Sequence, residues 1–212
     1  MSEPDARAAE IETISPGILH WGILDNRINN RSDSYAVETP RGKVLIDPLP
    51  LEEHLLSELG EVQAICLTGR FHQRASWRYQ QHFDVPVYAP HNGELHEKFA
   101  GEPDELYHEG DLLPGGLEVI HAPGPSEAHY IFYLRHDIKS AIFTADLLIR
   151  ESADDYFRFV PDQFMEQPEK TRESVRKILQ MDVGLLCPNH GAHADGDVHV
   201  VIQTALEKDA KN

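Results

Sequence analysis

The run of residues 64–76, AICLTGRFHQRAS, constrains the fold more than any other stretch of the chain. A short apolar segment from Ala64 to Leu67 stops at Thr68 and Gly69, gives way to Arg70, His72, Gln73 and Arg74, and at Ser76 a helical pattern opens. Strand, loop and helix start in such quick succession form the repeating unit of a layered α/β protein. In that architecture the loop at the carboxyl end of a strand collects ligands and reacting groups, because the scaffold fixes it while its tip stays open. Two guanidinium groups and one imidazole suit the holding of an anion, and they do not by themselves make a complete metal site.

The rest of the chain repeats this rhythm. Residues 17–24 and 34–38 read as strands joined by the polar run 25–33, and the second turns at Pro40, Arg41 and Gly42 into Val44, Leu45 and Ile46, with Asp47 and Pro48 closing it. A helix follows with Leu51, Leu55, Leu56 and Leu59 on one face and Gly60 at its end. After the focal loop come a helix at 76–82, a strand at 85–89 and a short helix at 93–99. The second half is a meander, with strands at 106–113, 117–121, 129–134 and 141–144. Residues 150–165 carry Tyr156, Phe157, Phe159 and Phe164 without a period, which reads as a lid over a pocket or as ordinary core cover. A helix at 168–181, a buried strand at 184–187 and a final helix from about Asp197 complete the chain. Residues 1–16 read as a flexible lead and residues 17–212 as one domain.

Composition narrows the function. With 212 residues and 41% hydrophobic content, one well-filled core is within reach. No apolar run approaches the ~20 residues that a membrane-spanning helix needs, and the polar start is unlike a targeting segment. A net charge of -17 argues against a nucleic-acid partner. Arg70, Arg74 and Arg78 are the tight basic cluster, enough to hold one small anion in a cleft. Cys66 and Cys187, each near the end of a predicted buried strand, suggest free thiols in a reducing, cytoplasmic setting. The histidine-rich stretches 91–96 and 190–199 read mostly as surface.

Loops that follow strands hold the candidate groups: Asp47, His72 with its arginines, Asp146, and His190. In order and spacing these resemble the metallo-β-lactamase fold superfamily, over nearly the whole chain. VLID ending at Asp47 is similar to the family's early strand and aspartate; FTAD ending at Asp146 is similar to its bridging aspartate, with Ala145 in place of glycine; PNHG is similar to its late histidine, here His190. The resemblance implies an α/β (α+β) fold, a four-layer αββα sandwich of two mixed β-sheets flanked by helices. It also implies descent from hydrolases of thioesters, esters or lactams.

The metal motif departs from that pattern. Where the family has Thr followed by His-x-His-x-Asp-His, this chain has Thr68 followed by Gly69, Arg70, Phe71, His72, Gln73 and Arg74. Where the family's turn reads Pro-Gly-His, this one reads Pro123, Gly124, Pro125. Only Asp146 and His190 stay in register, and a shift of one residue brings in His72. The implied site is therefore degenerate, with two readings. In the first, His72, Asp146 and His190 hold one zinc, iron or manganese ion for a hydrolase, and Arg70 or Arg74 orients a small anionic ester or thioester. In the second, no metal is bound, Arg74 pairs with Asp146 in place of the missing cation, and the chain is a non-catalytic ligand-binding or interaction module. His121 and His129 flank the Pro-Gly turn and either assist a metal or are plain strand residues.

Overall fold

The computed structural model describes residues 3–93, 101–136 and 139–211. Contacts divide the chain into two compact units, Met1–Gly116 and Leu117–Asn212. The short helix expected at 93–99 falls almost wholly outside the described residues.

Unit 1 carries a mixed sheet whose spatial order follows the chain: β1 (Glu12–Ser15), β2 (Ile18–Asp25), β3 (Asn30–Thr39), β4 (Gly42–Ile46), β5 (Val62–Cys66), β6 (Val87–Pro90) and β7 (Glu105–Tyr107). Pairing is antiparallel from β1 to β4 and parallel from β4 to β7. The switch has a cause in the sequence. β4 and β5 end in the wholly buried runs Val44, Leu45, Ile46 and Ala64, Ile65, Cys66, which need cover on both faces. Crossover helices α1 (Glu53–Leu59) and α2 (Ser76–Phe83) connect β4 to β5 and β5 to β6. Leu55 and Leu59 of α1 and Tyr79 of α2 are buried with Trp21, Leu45 and Ile65 in one cluster. Tyr79 anchors that cluster: its hydroxyl donates to the Leu49 carbonyl at 2.9 Å and accepts the Leu51 N–H at 3.0 Å. The strand expected at 106–113 is two pieces, β7 and β8 (Leu112–Leu113), separated by a turn with Gly110 at a φ of 86°.

Two expectations for this unit are corrected. The lead of residues 1–16 is not loose throughout: the Ala8 N–H bonds the Pro50 carbonyl at 2.8 Å, the Glu52 N–H returns to Ala8 at 3.0 Å, and β1 pairs with β2. Backbone pairing of this kind needs no apolar side chain, so hydrophobic patterning does not announce it. The polar run 25–33 is likewise only partly loop, since β3 starts at Asn30, which pairs with Asp25. Of its polar residues Asp25, Ser32 and Asp33 are buried, both carboxylates with charged or protonatable partners. The two ring nitrogens of His20 lie 2.5 Å from Glu12 Oε1 and 2.8 Å from Asp33 Oδ1, and Arg31 Nε donates to the same Asp33 oxygen at 2.7 Å.

At the tip of that hairpin Arg27 binds Asp25 through Nε at 2.8 Å and Nη2 at 2.5 Å. The Arg27 side-chain hydrogen bond holds the Asp25 carboxyl below the usual carboxylate range, against the opposing effect of burial. A carboxyl depressed in the folded state contributes stability that is present above its unfolded value, about 3.9, and is lost as pH falls through the folded one. Asp25→Asn should therefore flatten the fall in melting temperature of an acid titration below about pH 4. An unaltered acid limb in that variant would show that the pair contributes nothing.

Unit 2 holds β9 (Leu117–His121), β10 (Tyr130–Leu134), β11 (Ala141–Ala145), β12 (Leu185–Pro188) and β13 (Ala194–Asp195). β9, β10 and β11 form the expected antiparallel meander, β12 runs parallel to β11, and β13 pairs antiparallel with β12. α3 (Pro168–Ile178) starts on a proline and buries Thr171, Ser174, Val175 and Ile178. α4 (Val198–Asp209) is capped by Asp197, whose carboxylate accepts the Val200 N–H. Phe157, Phe159 and Met165 join the core of this unit as cover, while Tyr156, Phe164 and most of the rest of the segment at 150–165 stay exposed. No described helix is long and apolar enough to cross a membrane.

Candidate functional site

In unit 1, Asp47 leaves the end of β4 with a φ of 47° and is wholly buried. Its carboxylate is met from the neighbouring strand end. The Thr68 N–H donates to Oδ1 at 2.8 Å and the Thr68 hydroxyl donates to Oδ2 at 2.6 Å. His72, on the single turn Arg70–His72, places Nδ1 2.8 Å from that hydroxyl and 3.4 Å from Asp47 Oδ2. Because Thr68 gives its only proton to Asp47, the proton between threonine and imidazole belongs to His72 Nδ1. In the neutral ring the lone pair is then on Nε2.

Arg70 and Arg74 are both buried. Arg70 lies 4.1 Å over the Phe71 ring. Arg74, at a φ of 44°, donates through Nη1 to the Asp33 carbonyl at 2.5 Å, the Asp47 carbonyl at 2.9 Å and the Ser34 hydroxyl at 3.3 Å. Its bonds inside unit 1 thus tie together the strand ends that present Asp47, a scaffold role that residue spacing did not predict.

In unit 2, Ala145 closes β11 at a φ of 48°, a conformation glycine adopts more easily, and turns the chain so that Asp146 projects. The Asp146 N–H donates to His129 Nε2 at 3.2 Å, while His129 Nδ1 donates to the Ala122 carbonyl at 2.8 Å. His129 is thus a buried neutral ring that fixes the aspartate's backbone. His121 instead meets the Glu127 carbonyl, 2.8 Å from its Nε2. His190 follows β12 and sets Nε2 3.2 Å from Asp146 Oδ1, with both side chains partly open to solvent at 14% and 23%.

Arg150 secures the His190 loop. Its N–H bonds the His190 carbonyl at 3.1 Å, and its guanidinium donates to the carbonyls of Ala192, Ala153 and His193. Gly191 permits this approach, because a Cβ there would lie 1.7 Å from the Arg150 carbonyl oxygen. At the Pro-Gly-Pro turn, a Cβ on Gly124 would fall 2.2 Å from Thr171 Oγ1 at the start of α3.

Of the residues singled out in the sequence, Asp146 and His190 are brought together within unit 2, while His72, Arg70 and Arg74 share one loop of unit 1. Thr68 and Arg150 were given no role from the sequence, and His129 was read only as assisting a metal or as a plain strand residue. A threonine before a loop, a strand histidine and an arginine beyond Asp146 carry no spacing signal, and their roles arise only from the atoms they meet. Burial raises both cysteine thiols above their usual range, which leaves them protonated and inert, Cys187 beside the His190 loop included.

By donor chemistry, Asp146 and His190 of unit 2 offer a carboxylate and an imidazole, and His72 of unit 1 offers a second imidazole. Two imidazoles and a carboxylate suit one borderline divalent ion. A ligand imidazole almost always donates its other N–H to an outer partner, and Thr68 with Asp47 supplies such a partner to His72. Gly69, Phe71, Arg74 and Pro125, at positions where the resemblance places ligands, carry no side-chain metal donor.

A family model described as the metallo-beta-lactamase superfamily matches residues 12–187, so the chain belongs to that superfamily. The two mixed sheets and four helices among its described residues are those of the metallo-β-lactamase α/β fold. Among solved structures it is similar to the DIM-1 metallo-β-lactamase exposed to ceftazidime, at 13% identity and a TM-score of 0.75, covering 96% of this chain and 98% of that one. It is similar to a metallo-β-lactamase from Pontibacter korlensis at 18% identity, with a TM-score of 0.75 and coverage of 96% and 99%. It is similar also to FIM-1 from Pseudomonas aeruginosa in its mono-zinc form, at 12% identity, a TM-score of 0.68 and 98% coverage of each chain. No curated protein matches the sequence.

Proposed function

We propose that this chain is a divergent metallo-β-lactamase-superfamily hydrolase that uses one divalent ion, held by His72, Asp146 and His190, on a small anionic ester or thioester. The observation that carries the reading is the Asp47–Thr68–His72 relay, which orients a buried imidazole and settles which nitrogen keeps its lone pair. Such an arrangement is expected around a metal ligand and has no equal value for a merely structural histidine. FIM-1, a solved protein of this fold, is described in a mono-zinc form, so one ion is compatible with the scaffold.

A bound divalent ion supplies Lewis acidity, polarising a carbonyl and making water a better nucleophile. The chain's own residues do the rest. Asp47 and Thr68 keep the proton on His72 Nδ1. His129 holds the Asp146 backbone, and Arg150 holds the turn that presents His190. His190 Nε2 lies 3.2 Å from Asp146 Oδ1, and both groups must be free of a proton to act as ligands, so metal affinity rises with pH. Arg70, stacked on Phe71, supplies the positive charge for the substrate's anionic group.

Elemental analysis of protein purified without added metal tests the reading. We expect about one zinc, iron or manganese per chain. His72→Ala and His190→Asn should abolish that content. Thr68→Val, which keeps the ring and removes its partner, should weaken metal binding by roughly 10–100-fold. Two ions per chain would overturn the single-metal reading. No metal, with Arg74 standing in for the ion, would make the protein a ligand-binding module on the same fold.

A further inference from the structure

A half-open groove of unit 1, about 730 Å³ in volume, is formed by the N-terminal segment, α1 and α2; Arg78 of the basic cluster lines it, and Asp47, His72, Arg70 and Arg74 do not. Leu51, Leu56 and the buried Tyr79 give it an apolar lining. Arg7, Arg78, His54 and His82 bring the positive or protonatable groups, with Glu52 and Glu53 beside them. The size falls in the range of small-molecule sites, which pair an apolar lining with a few polar groups that fix orientation.

Two contacts indicate which chemistry the groove receives. Arg7 makes one long bond, Nη1 to the Leu51 carbonyl at 3.3 Å, and no carboxylate lies within ion-pair distance of it among the described residues. A guanidinium has five N–H donors, so most of its capacity is left for a ligand. Arg78 Nη2 already holds a carboxylate, that of Glu3, at 2.8 Å. Glu3 thus shows that a carboxylate fits this guanidinium. Both arginines and Glu3 act electrostatically on the Tyr79 phenol, which puts all three charges around one residue of the lining. The acidic pair Glu52 and Glu53 repels a ligand carrying several negative charges and tolerates one carrying a single charge.

We propose that this groove is a second ligand site, for a small monocarboxylate with an apolar body, whose carboxylate pairs with Arg7 and Arg78 and displaces Glu3, while its body lies on Leu51, Leu56 and Tyr79. The site is independent of the metal reading, since it shares no residue with it. It gives the chain a place to take up an amphiphilic acid at a distance in sequence from His190.

Octanoate is the probe, with octan-1-ol as the uncharged control. The full-length protein is titrated with each while the Leu51 and Leu56 methyls and the Arg Nε–H signals are followed by NMR. Octanoate should shift all of them saturably, and octan-1-ol should bind at least about tenfold more weakly, as expected when a charge-assisted pair is lost. Arg7→Gln with Arg78→Gln, both at exposed positions, should weaken octanoate by about tenfold or more. Glu3→Gln should tighten it, because the internal competitor loses its charge. The proposal is overturned by any of four results: no saturable shift with octanoate, equal affinity for octan-1-ol, an unaffected double variant, or no tightening in Glu3→Gln.

Discussion

Arg74→Ala should lower the melting temperature by about 10 °C, corresponding to a loss of about 3–5 kcal/mol in a chain of this size. The guanidinium is buried and one nitrogen serves the Asp33 carbonyl, the Asp47 carbonyl and the Ser34 hydroxyl. Truncation takes a charged donor from each of those oxygens in a dry place, and hydrogen bonds to charged groups contribute about 1.5–3 kcal/mol each. Ser34 is part of the same knot, donating to Asp47 at 2.6 Å and accepting the Leu49 N–H at 2.8 Å, so the loss spreads across the ends of β3 and β4. Arg74→Lys should recover only part of the stability, since an ammonium cannot reproduce the planar fork. Calorimetry of the two variants decides the matter, and a melting temperature within 2 °C of the parent in Arg74→Ala would refute the scaffold role.

Gly191→Ala should be still more damaging, costing at least about 4 kcal/mol and, on the single-metal proposal, the metal along with it. The added Cβ would meet the Arg150 carbonyl oxygen at 1.7 Å, and the residue sits at a φ of 110°. Backbone cannot give way there without pulling His190 from its place, because the Arg150 N–H is bonded to the His190 carbonyl. Gly196 is the control. Its φ is 114°, yet nothing lies within 4 Å of the added Cβ, so Gly196→Ala should show the backbone strain alone, about 1–2 kcal/mol, with metal content unchanged. Equal effects in the two variants would mean that the close approach at Gly191 contributes nothing.

Much of the scaffold was legible because it follows from periodicity. Apolar runs closed by polar residues located β4, β5, β11 and β12, and the spacing of leucines and valines located the helices. Positions that follow strand ends delivered Asp47, His72, Asp146 and His190, since loops there are where a layered α/β protein exposes chemistry. The pairing of β1 and of Ala8 was not legible, because backbone hydrogen bonds are blind to side-chain polarity. Neither were His20, buried between Glu12 and Asp33, and Asp33 itself: a polar residue reads as exposed until its partner is known.

The sequence by itself pointed to the family and to a departure from its metal motif: Gly69, Phe71, Gln73, Arg74 and Pro125 stand where the resemblance places metal ligands, and no arrangement of the chain can turn them into histidine or aspartate. Tertiary structure alone decided what the remaining groups do. It gave Thr68 the task of orienting His72, made His129 the support of Asp146, and turned Arg74 into a tie between strand ends. The physical reason is range. Periodicity and side-chain identity are properties of neighbours along the chain, whereas a hydrogen bond of about 2.8 Å depends on residues that only folding brings together.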